Sequence, residues 1–391
     1  MLNKTLHLMG RLFKTESPSL GQFLKIAILS IVVVCVGSFA TVNYVVPILI
    51  NKCSLISTTP RPIVSQTVPL QNQWSLHLTI SETGEHLLIA TPDTLIVSDS
   101  CNFYLEEITA LDLATGQRKW KAHGGKFIMT LDSGNGRLYT SISQPDEYVG
   151  RRPVDDWEID AISSSDGKLL WSSLVSFEII SKAGWVRNIG VLDDKQAVVY
   201  TSNGGFILDT DSGNVQPHPA AELPAGLLLY DQDIAYFYRE NSLEARNNVT
   251  GQTRWYVKLP LVDLPYTRPK ELYDNQHELI VTWGDVGDYQ KGLTAIDRQT
   301  GAVLWANLSI GLASNVAEAS GILYALDYNG QLWLFDVNSG ETIGKVQFEE
   351  PKGHLIMGPD ALGGSYLAVT QNTLAIYFQD THVLSTFLLP Q

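Results

Sequence analysis

Cysteine and positive charge are scarce in this sequence of 391 residues. It contains 3 Cys, and its 27 Lys and Arg stand against 41 Asp and Glu, for a formal net charge of −14 at pH 7. Residues 1–61 carry +5, from six basic residues and Glu16, so the remainder carries −19. A body this acidic has no surface that could follow a phosphate backbone, which excludes nucleic acid as a partner.

The motifs of common catalytic and metal sites are missing as well. The 8 His are scattered, without an HExxH or a close ligand pair, and there is no nucleophile elbow, phosphate-binding loop or CxxC. We therefore expect no enzyme activity, no cofactor and no metal site. Of the Cys residues, Cys53 and Cys101 could form a disulfide in an oxidising compartment, and two unpaired thiols are the alternative.

One apolar run is long enough for a membrane helix. Residues 26–50 contain no charged side chain and would rise about 37 Å as a helix, which crosses a bilayer core. The basic residues before this run place the N-terminus in the cytoplasm: Lys4, Arg11, Lys14 and Lys25. A signal peptide cleaved near Ser38-Phe39-Ala40 is the alternative.

These features predict a domain order and a location. Residues 1–25 form a short cytoplasmic tail, 26–50 a signal-anchor transmembrane helix, 51–70 a proline-containing linker, and 71–391 the folded body. We expect a single-pass protein of the cell membrane whose body lies outside the cytoplasm.

The body contains a repeated unit. Four segments end in Gly-x-x-x-Trp: 109–120 (TALDLATGQRKW), 160–171 (DAISSSDGKLLW), 244–255 (EARNNVTGQTRW) and 294–305 (TAIDRQTGAVLW). Segments 206–215 and 333–342 keep the turn but lose the Trp. Alternating residues before a Thr/Ser/Asp-Gly turn predict a hairpin, because Gly accepts a positive φ. The turn glycines are Gly116, Gly167, Gly213, Gly251, Gly301 and Gly340, and the Trp residues predicted to pack between sheets are Trp120, Trp171, Trp255 and Trp305.

Two more short strands precede each hairpin, which makes a four-stranded unit of about 44 residues. We predict an all-β fold: a seven-bladed β-propeller of four-stranded antiparallel blades, preceded by one transmembrane α-helix. Eight blades are the alternative. A surplus strand at Gln73–Leu78 is expected to close the ring.

The unit at 110–120, Ala-Leu-Asp-x-x-Thr-Gly-x-x-x-Trp, resembles the quinoprotein-like (PQQ-type) propeller repeat, and its style is similar to the BamB-type propellers of outer-membrane barrel assembly. The resemblance covers residue 71 to the C-terminus and implies a propeller that serves as a scaffold, a sensor or a dehydrogenase. Dehydrogenases of this family hold a quinone with calcium, and this sequence has no matching ligand set and no adjacent Cys pair. We therefore expect a non-enzymatic scaffold that binds a protein or peptide, or a glycan. An exported quinoprotein-like dehydrogenase and a sensory ectodomain with a separate output partner are the alternatives.

The predicted binding face consists of loops between second and third strands and of segments that link blades. In an antiparallel blade these open at the same end. Exposed aromatic and Arg side chains on loops often anchor protein contacts. The candidates are Tyr104, Tyr148, Arg151, Arg152, Trp185, Arg187, Tyr266 and Tyr289. The repeat carboxylates Asp112, Asp209, Asp297 and Asp336 are expected to be turn acceptors rather than catalysts.

Overall fold

The structure is a computed structural model of the chain and, in the part that it describes, it consists of β-strands and turns. The described residues are 56–78, 88–102, 105–123, 127–134, 136–143, 157–175, 186–201, 204–216, 227–230, 234–239, 242–248, 250–258, 268–274, 278–284, 290–327, 329–349, 365–378 and 381–390. All of them belong to one compact unit, Leu55–Gln391. The predicted helix at 26–50 lies outside these ranges. Within them, no helix is long and apolar enough to cross a membrane.

Five sheets each consist of four consecutive antiparallel strands that are neighbours in chain order. Sheet 1 contains β4 (Leu88–Ala90), β5 (Thr94–Asn102), β6 (Leu105–Asp112) and β7 (Arg118–His123). Sheet 2 contains β8 (Phe127–Gly134), β9 (Arg137–Ser143), β10 (Trp157–Ser163) and β11 (Leu169–Val175). Sheet 3 contains β12 (Val186–Val191), β13 (Gln196–Thr201), β14 (Gly204–Asp209) and β15 (Val215–Gln216). Sheet 4 contains β16 (Leu227–Tyr230), β17 (Ile234–Arg239), β18 (Ser242–Asn247) and β19 (Thr253–Lys258). Sheet 5 contains β20 (Arg268–Asp274), β21 (Glu278–Gly284), β22 (Gln290–Asp297) and β23 (Val303–Leu312).

Two further sheets combine strands from both ends of the chain. Sheet 6 contains β24 (Ala317–Ala319), β25 (Ile322–Leu326), β26 (Gln331–Asp336) and β27 (Thr342–Phe348), and β2 (Ile63–Gln66) adds to the outer edge of β27. Sheet 7 contains β28 (Tyr366–Val369), β29 (Thr373–Phe378) and β30 (Val383–Leu388), followed outward by β3 (Gln71–His77) and β1 (Ile56–Ser57). The ring therefore closes where β3 pairs with β30.

The predicted fold class is wrong in the number of strands that it assigns to each blade. It gave every blade four strands, whereas sheets 6 and 7 have five, because strands from residues 56–66 extend their outer edges. The eight-bladed alternative is wrong too. The described residues form seven sheets, and the strand that we treated as surplus is the fourth strand of sheet 7.

The sheets pack face to face around a centre where their first strands meet. Middle strands are buried on both faces because each lies between two neighbouring sheets. All six residues of β29, for example, are buried. Leu76 and Tyr377 of sheet 7 pack with Leu95 and Leu111 of sheet 1 in one cluster. Burial of this apolar surface is the main stabilising contribution to the ring.

Indole rings join neighbouring sheets at their perimeter. Trp120 of sheet 1 lies against Gly167 of sheet 2, so close that a Cβ on Gly167 would be 2.6 Å from Cε3 of the indole. The Nε1 of Trp120 donates to the carbonyl oxygen of Ser164 at 3.0 Å. The same contact occurs at four other boundaries, where Trp74, Trp171, Trp255 and Trp305 lie on Gly116, Gly213, Gly301 and Gly340 and donate to Leu113, Thr210, Arg298 and Val337.

In sheet 6 an N-terminal residue takes the place of the indole. The position that holds Trp in sheets 1, 2, 4 and 5 is Gly344 here, and a Cβ on it would overlap Cγ2 of Val68. Thr67 fixes this segment, since its amide donates to the carbonyl of Lys345 at 2.9 Å and its Oγ1 accepts from the amide of Lys345 at 2.8 Å. The segment after β2 thus fills the volume that the missing Trp leaves.

We expect Gly344→Ala to lower the free energy of unfolding by about 1–3 kcal/mol, because the added methyl overpacks against Val68. Val68→Ala in the same chain should recover most of this loss, since the Cβ of Val68 lies 3.4 Å from the added methyl. Urea titrations of both single variants and the double variant measure the coupling. Purely additive effects would contradict the contact.

Candidate protein-interaction surfaces

The predicted binding residues fall almost entirely outside the described residues. This holds for Tyr104, Tyr148, Arg151, Arg152, Trp185, Tyr266 and Tyr289, and for Cys53 of the predicted disulfide with Cys101. Arg187 is described through its backbone, where it is the extra residue of a bulge between Val186 and Asn188 of β12. The binding face therefore stays a prediction.

The strands that border these segments show how the predicted loops are arranged. The last pairs before the segments 103–104, 144–156 and 285–289 are Asn102 with Leu105, Ser143 with Trp157, and Gly284 with Gln290. In each sheet these pairs lie at the end opposite the Gly turn. We call this the loop end and the other the hairpin end. The borders of the predicted face thus share the loop end.

Among the described residues, three exposed leucines lie on the outer strand of sheet 2. Leu169, Leu170 and Leu174 of β11 are 59%, 49% and 67% exposed. No described strand pairs with the outer edge of β11. We call these three residues the β11 patch. An open sheet edge that carries exposed apolar side chains is a surface on which another chain can dock.

Polar groups border the β11 patch. Lys168 forms an ion pair with Asp166, and this hydrogen bond, with a second from Ser163, lowers the pKa of Asp166 to about 2. The pair therefore keeps its charges throughout the neutral range. Ser172, between two of the leucines, donates to Oε1 of Glu158 on the neighbouring strand. An apolar centre with a polar rim is the usual composition of a protein interface.

The repeat carboxylates hold turns. Oδ1 of Asp112 accepts from the amide of Thr115 at 2.9 Å and from its hydroxyl at 2.7 Å. The hydroxyl bond is the main cause that lowers the pKa of Asp112. Equivalent bonds fix the turns at Asp209, Asp297 and Asp336. In the described ranges, no group of three or more His, Cys, Asp and Glu side chains could hold a metal ion.

Comparison with known proteins identifies the family. The model of the family described as outer membrane protein assembly factor BamB matches residues 105–346, from β6 into β27 and over more than half of the chain. The chain belongs to the BamB family. This confirms the sequence-based resemblance to PQQ-type, BamB-like repeats. The description of the family as an assembly factor also agrees with the prediction that the chain is not an enzyme.

Individual relatives are distant. The chain is 22% identical over 323 residues to the outer membrane protein assembly factor BamB of Yersinia pestis, a match that covers 75% of this chain and 77% of the relative. The crystal structure of BamB from Moraxella catarrhalis is 16% identical, with 84% of this chain and all of that chain covered and a TM-score of 0.48. The β-propeller domain of Cps50 (Swd1) from Myceliophteria thermophila is 14% identical, with 85% of this chain and all of that chain covered and a TM-score of 0.52, which indicates a shared propeller fold alone.

Sequence reasoning missed the β11 patch. Its signal is the pair Leu169-Leu170 before the repeat Trp, with Leu174 three residues after it. Residues 303–308, in the outer strand β23 of sheet 5, have a similar pattern. There Leu304 and Leu308 are 45% and 36% exposed.

Proposed function

We propose that this chain is a non-enzymatic scaffold that binds another protein during outer membrane protein assembly. We further propose that residues 26–50 anchor it in the cell membrane with the propeller outside the cytoplasm. The observation that carries the proposal is the match to the assembly-factor family over residues 105–346. No observation in the described part of the chain favours a dehydrogenase or a sensory ectodomain over this role.

The geometry of the described residues supports a binding role. Five indole contacts connect neighbouring sheets of the ring. A docking surface on these sheets is therefore preorganised before a partner binds. The β11 patch offers apolar surface at an open edge. The loop end, with Tyr148, Arg151 and Arg152, is the second proposed docking surface.

The experiment is a cross-linking pull-down from native membranes with four forms of the full chain. They are the wild type, Leu170→Ser/Leu174→Ser, Tyr148→Ala/Arg151→Ala/Arg152→Ala, and the control Leu304→Ser/Leu308→Ser on the outer strand of sheet 5. The expected result is that the wild type and the control capture the same assembly protein. Loss of capture in the first variant places the partner on the β11 patch, and loss in the second places it at the loop end.

A wild-type chain that captures no specific protein would overturn the scaffold function. The membrane anchor is tested separately by alkaline extraction of the membranes. If the full-length chain is released into the soluble fraction at high pH, it is not anchored by a transmembrane helix.

A further inference from the structure

A cavity of about 580 Å³ lies between sheets 7 and 1 at their hairpin ends. Its walls are Gln73 and residues 369–373 of sheet 7, and residues 90–93 and 112–114 of sheet 1. All of these residues are described, and the undescribed segments 79–87 and 379–380 join strands at the opposite, loop end. Pockets for small molecules usually measure roughly 300–1,000 Å³, so this cavity is large enough to hold one.

Short side chains leave this boundary open where an ion pair crosses an equivalent one. Arg137 is the first residue of the second strand in sheet 2, and its Nη2 donates to Oδ1 of Asp211 in the Gly turn of sheet 3 at 2.6 Å. The equivalent positions between sheets 7 and 1 are Thr373 and Ala114, and both line the cavity. Their side chains are too short to form such a bridge.

One wall of the cavity carries a hydrogen-bond acceptor that lacks a donor. Gln73 is the extra residue of a bulge between Asn72 and Trp74 of β3. Its Oε1 is buried and accepts no hydrogen bond from the described residues. A buried acceptor without a donor is unfavourable, and the terminal torsion of Gln has a broad range. A donor in the cavity could therefore be met by rotation of this amide.

Two carboxylates give the cavity a negative charge. Asp93 and Asp112 line it, and the described residues of its walls include no Lys, Arg or His. Hydrogen bonds from Lys119 and from Thr115 lower the pKa of Asp93 and of Asp112, respectively, so both are ionised at neutral pH. The ammonium of Lys119, 2.9 Å from Oδ2 of Asp93, balances one of these charges. The remaining negative charge favours a cationic ligand.

Among cations, a guanidinium matches these groups better than an ammonium does. Its five donors lie in one plane, so it can bind a carboxylate and the acceptor of Gln73 together. Ala90 and Pro92 provide apolar wall against which an aliphatic stem can pack. The fold already places a guanidinium at the equivalent position between sheets 2 and 3, through Arg137.

We propose that the cavity between sheets 7 and 1 binds a guanidinium compound, either free arginine or the arginine side chain of a peptide. The guanidinium donates to the carboxylates of sheet 1 and to Oε1 of Gln73, and so supplies the bridge that Thr373 and Ala114 cannot form. The inference goes beyond the proposed scaffold function and does not depend on it.

The test is isothermal titration calorimetry of the purified full-length chain with L-arginine, the tripeptide Gly-Arg-Gly and L-citrulline. Citrulline is the control, because it has nearly the shape of arginine but carries a neutral urea group. We expect saturable binding of arginine or of the tripeptide, and binding of citrulline at least about ten-fold weaker. Binding of the tripeptide identifies a peptide side chain as a ligand, and binding of arginine alone identifies the free amino acid. Equal binding of citrulline, or no saturable binding at all, would overturn the proposal.

A double variant locates the site. Thr373→Arg/Ala114→Asp rebuilds the pair of Arg137 and Asp211 inside the cavity, so it should raise Tm and weaken arginine binding at least about ten-fold. Gln299→Asp is the control, because it makes the same change to Asp at the equivalent turn position of sheet 5, where Gln299 is exposed. It should bind arginine as the wild type does.

A second variant keeps the test decisive if the double variant does not fold. Gln73→Met retains the length of the side chain without its amide, and it should weaken arginine binding about five-fold or more. Thermal unfolding verifies that each variant folds. Arginine binding that persists unchanged in the folded double variant, or in Gln73→Met where the double variant is unfolded, would overturn the proposal.

Discussion

Replacing Trp255 by Ala is expected to lower the free energy of unfolding by about 3–5 kcal/mol. Trp255 is 8% exposed and packs with Tyr236, whose ring centroid lies 5.8 Å away. Its Nε1 donates to the carbonyl of Arg298 in the next sheet at 2.9 Å. Truncation removes buried apolar area, leaves a cavity between sheets 4 and 5, and takes away the donor to that carbonyl. Urea unfolding followed by circular dichroism measures the change.

Two variants separate these contributions. Trp255→Phe retains an aromatic ring without the N–H and should cost about 1–3 kcal/mol. Leu304→Ala, at a side chain that is 45% exposed on the next outer strand, should stay within about 0.5 kcal/mol of the wild type. A Trp255→Ala chain that is as stable as the Leu304→Ala chain would show that the indole does not hold the sheets together.

The hairpins of the repeat could be predicted because their determinants are local. Asp297, Thr300, Gly301 and Trp305 lie within nine residues, and the structure connects the first three through one turn. The four-stranded unit predicted from the repeat is present in sheet 5 as β20–β23. The short polar side chains and the glycine define the turn whatever the rest of the chain does.

Contacts between the two ends of the chain could not be predicted in this way. Trp74 lies on Gly116 as the repeat Trp residues do, but it has no turn glycine before it, because its hairpin partner β30 is at the other end of the chain. The pairing of Thr67 with Lys345 spans 278 residues and has no local sequence signal. The number of strands in sheets 6 and 7 depends on such pairings.

The candidate surfaces could be predicted only in part, for a related reason. Alternating apolar residues give the same pattern in a covered strand and in an open one. Leu170 is half exposed on β11, whereas Leu95 on β5 is fully buried. The difference arises because residues of the neighbouring sheet 7 cover Leu95. Exposure is decided by what lies beside a strand, and a single sequence does not contain that information directly.

A second large effect is expected at the glycine beneath the Trp255 indole. Gly301→Ala should lower the free energy of unfolding by about 2–5 kcal/mol, whereas Gly251→Ala should cost about 1–2 kcal/mol. The two glycines have φ values of 73° and 68°, so both variants place an alanine in the left-handed region at similar backbone cost. They differ in their surroundings. A Cβ on Gly301 would lie 2.7 Å from Cδ2 and Cε3 of Trp255, and one on Gly251 meets no described atom within 4 Å.

The difference between the two glycines can be assigned to the indole by a double-mutant cycle. In a chain that already carries Trp255→Ala, the ring is gone and Gly301→Ala should cost no more than Gly251→Ala does in the wild type. Urea titrations of the single and double variants give the coupling free energy. If Gly301→Ala were equally costly with and without Trp255, the backbone alone would set its cost, and the contact between indole and glycine would not stabilise the boundary. A coupling of about 1–3 kcal/mol is the result that the packing of this ring requires.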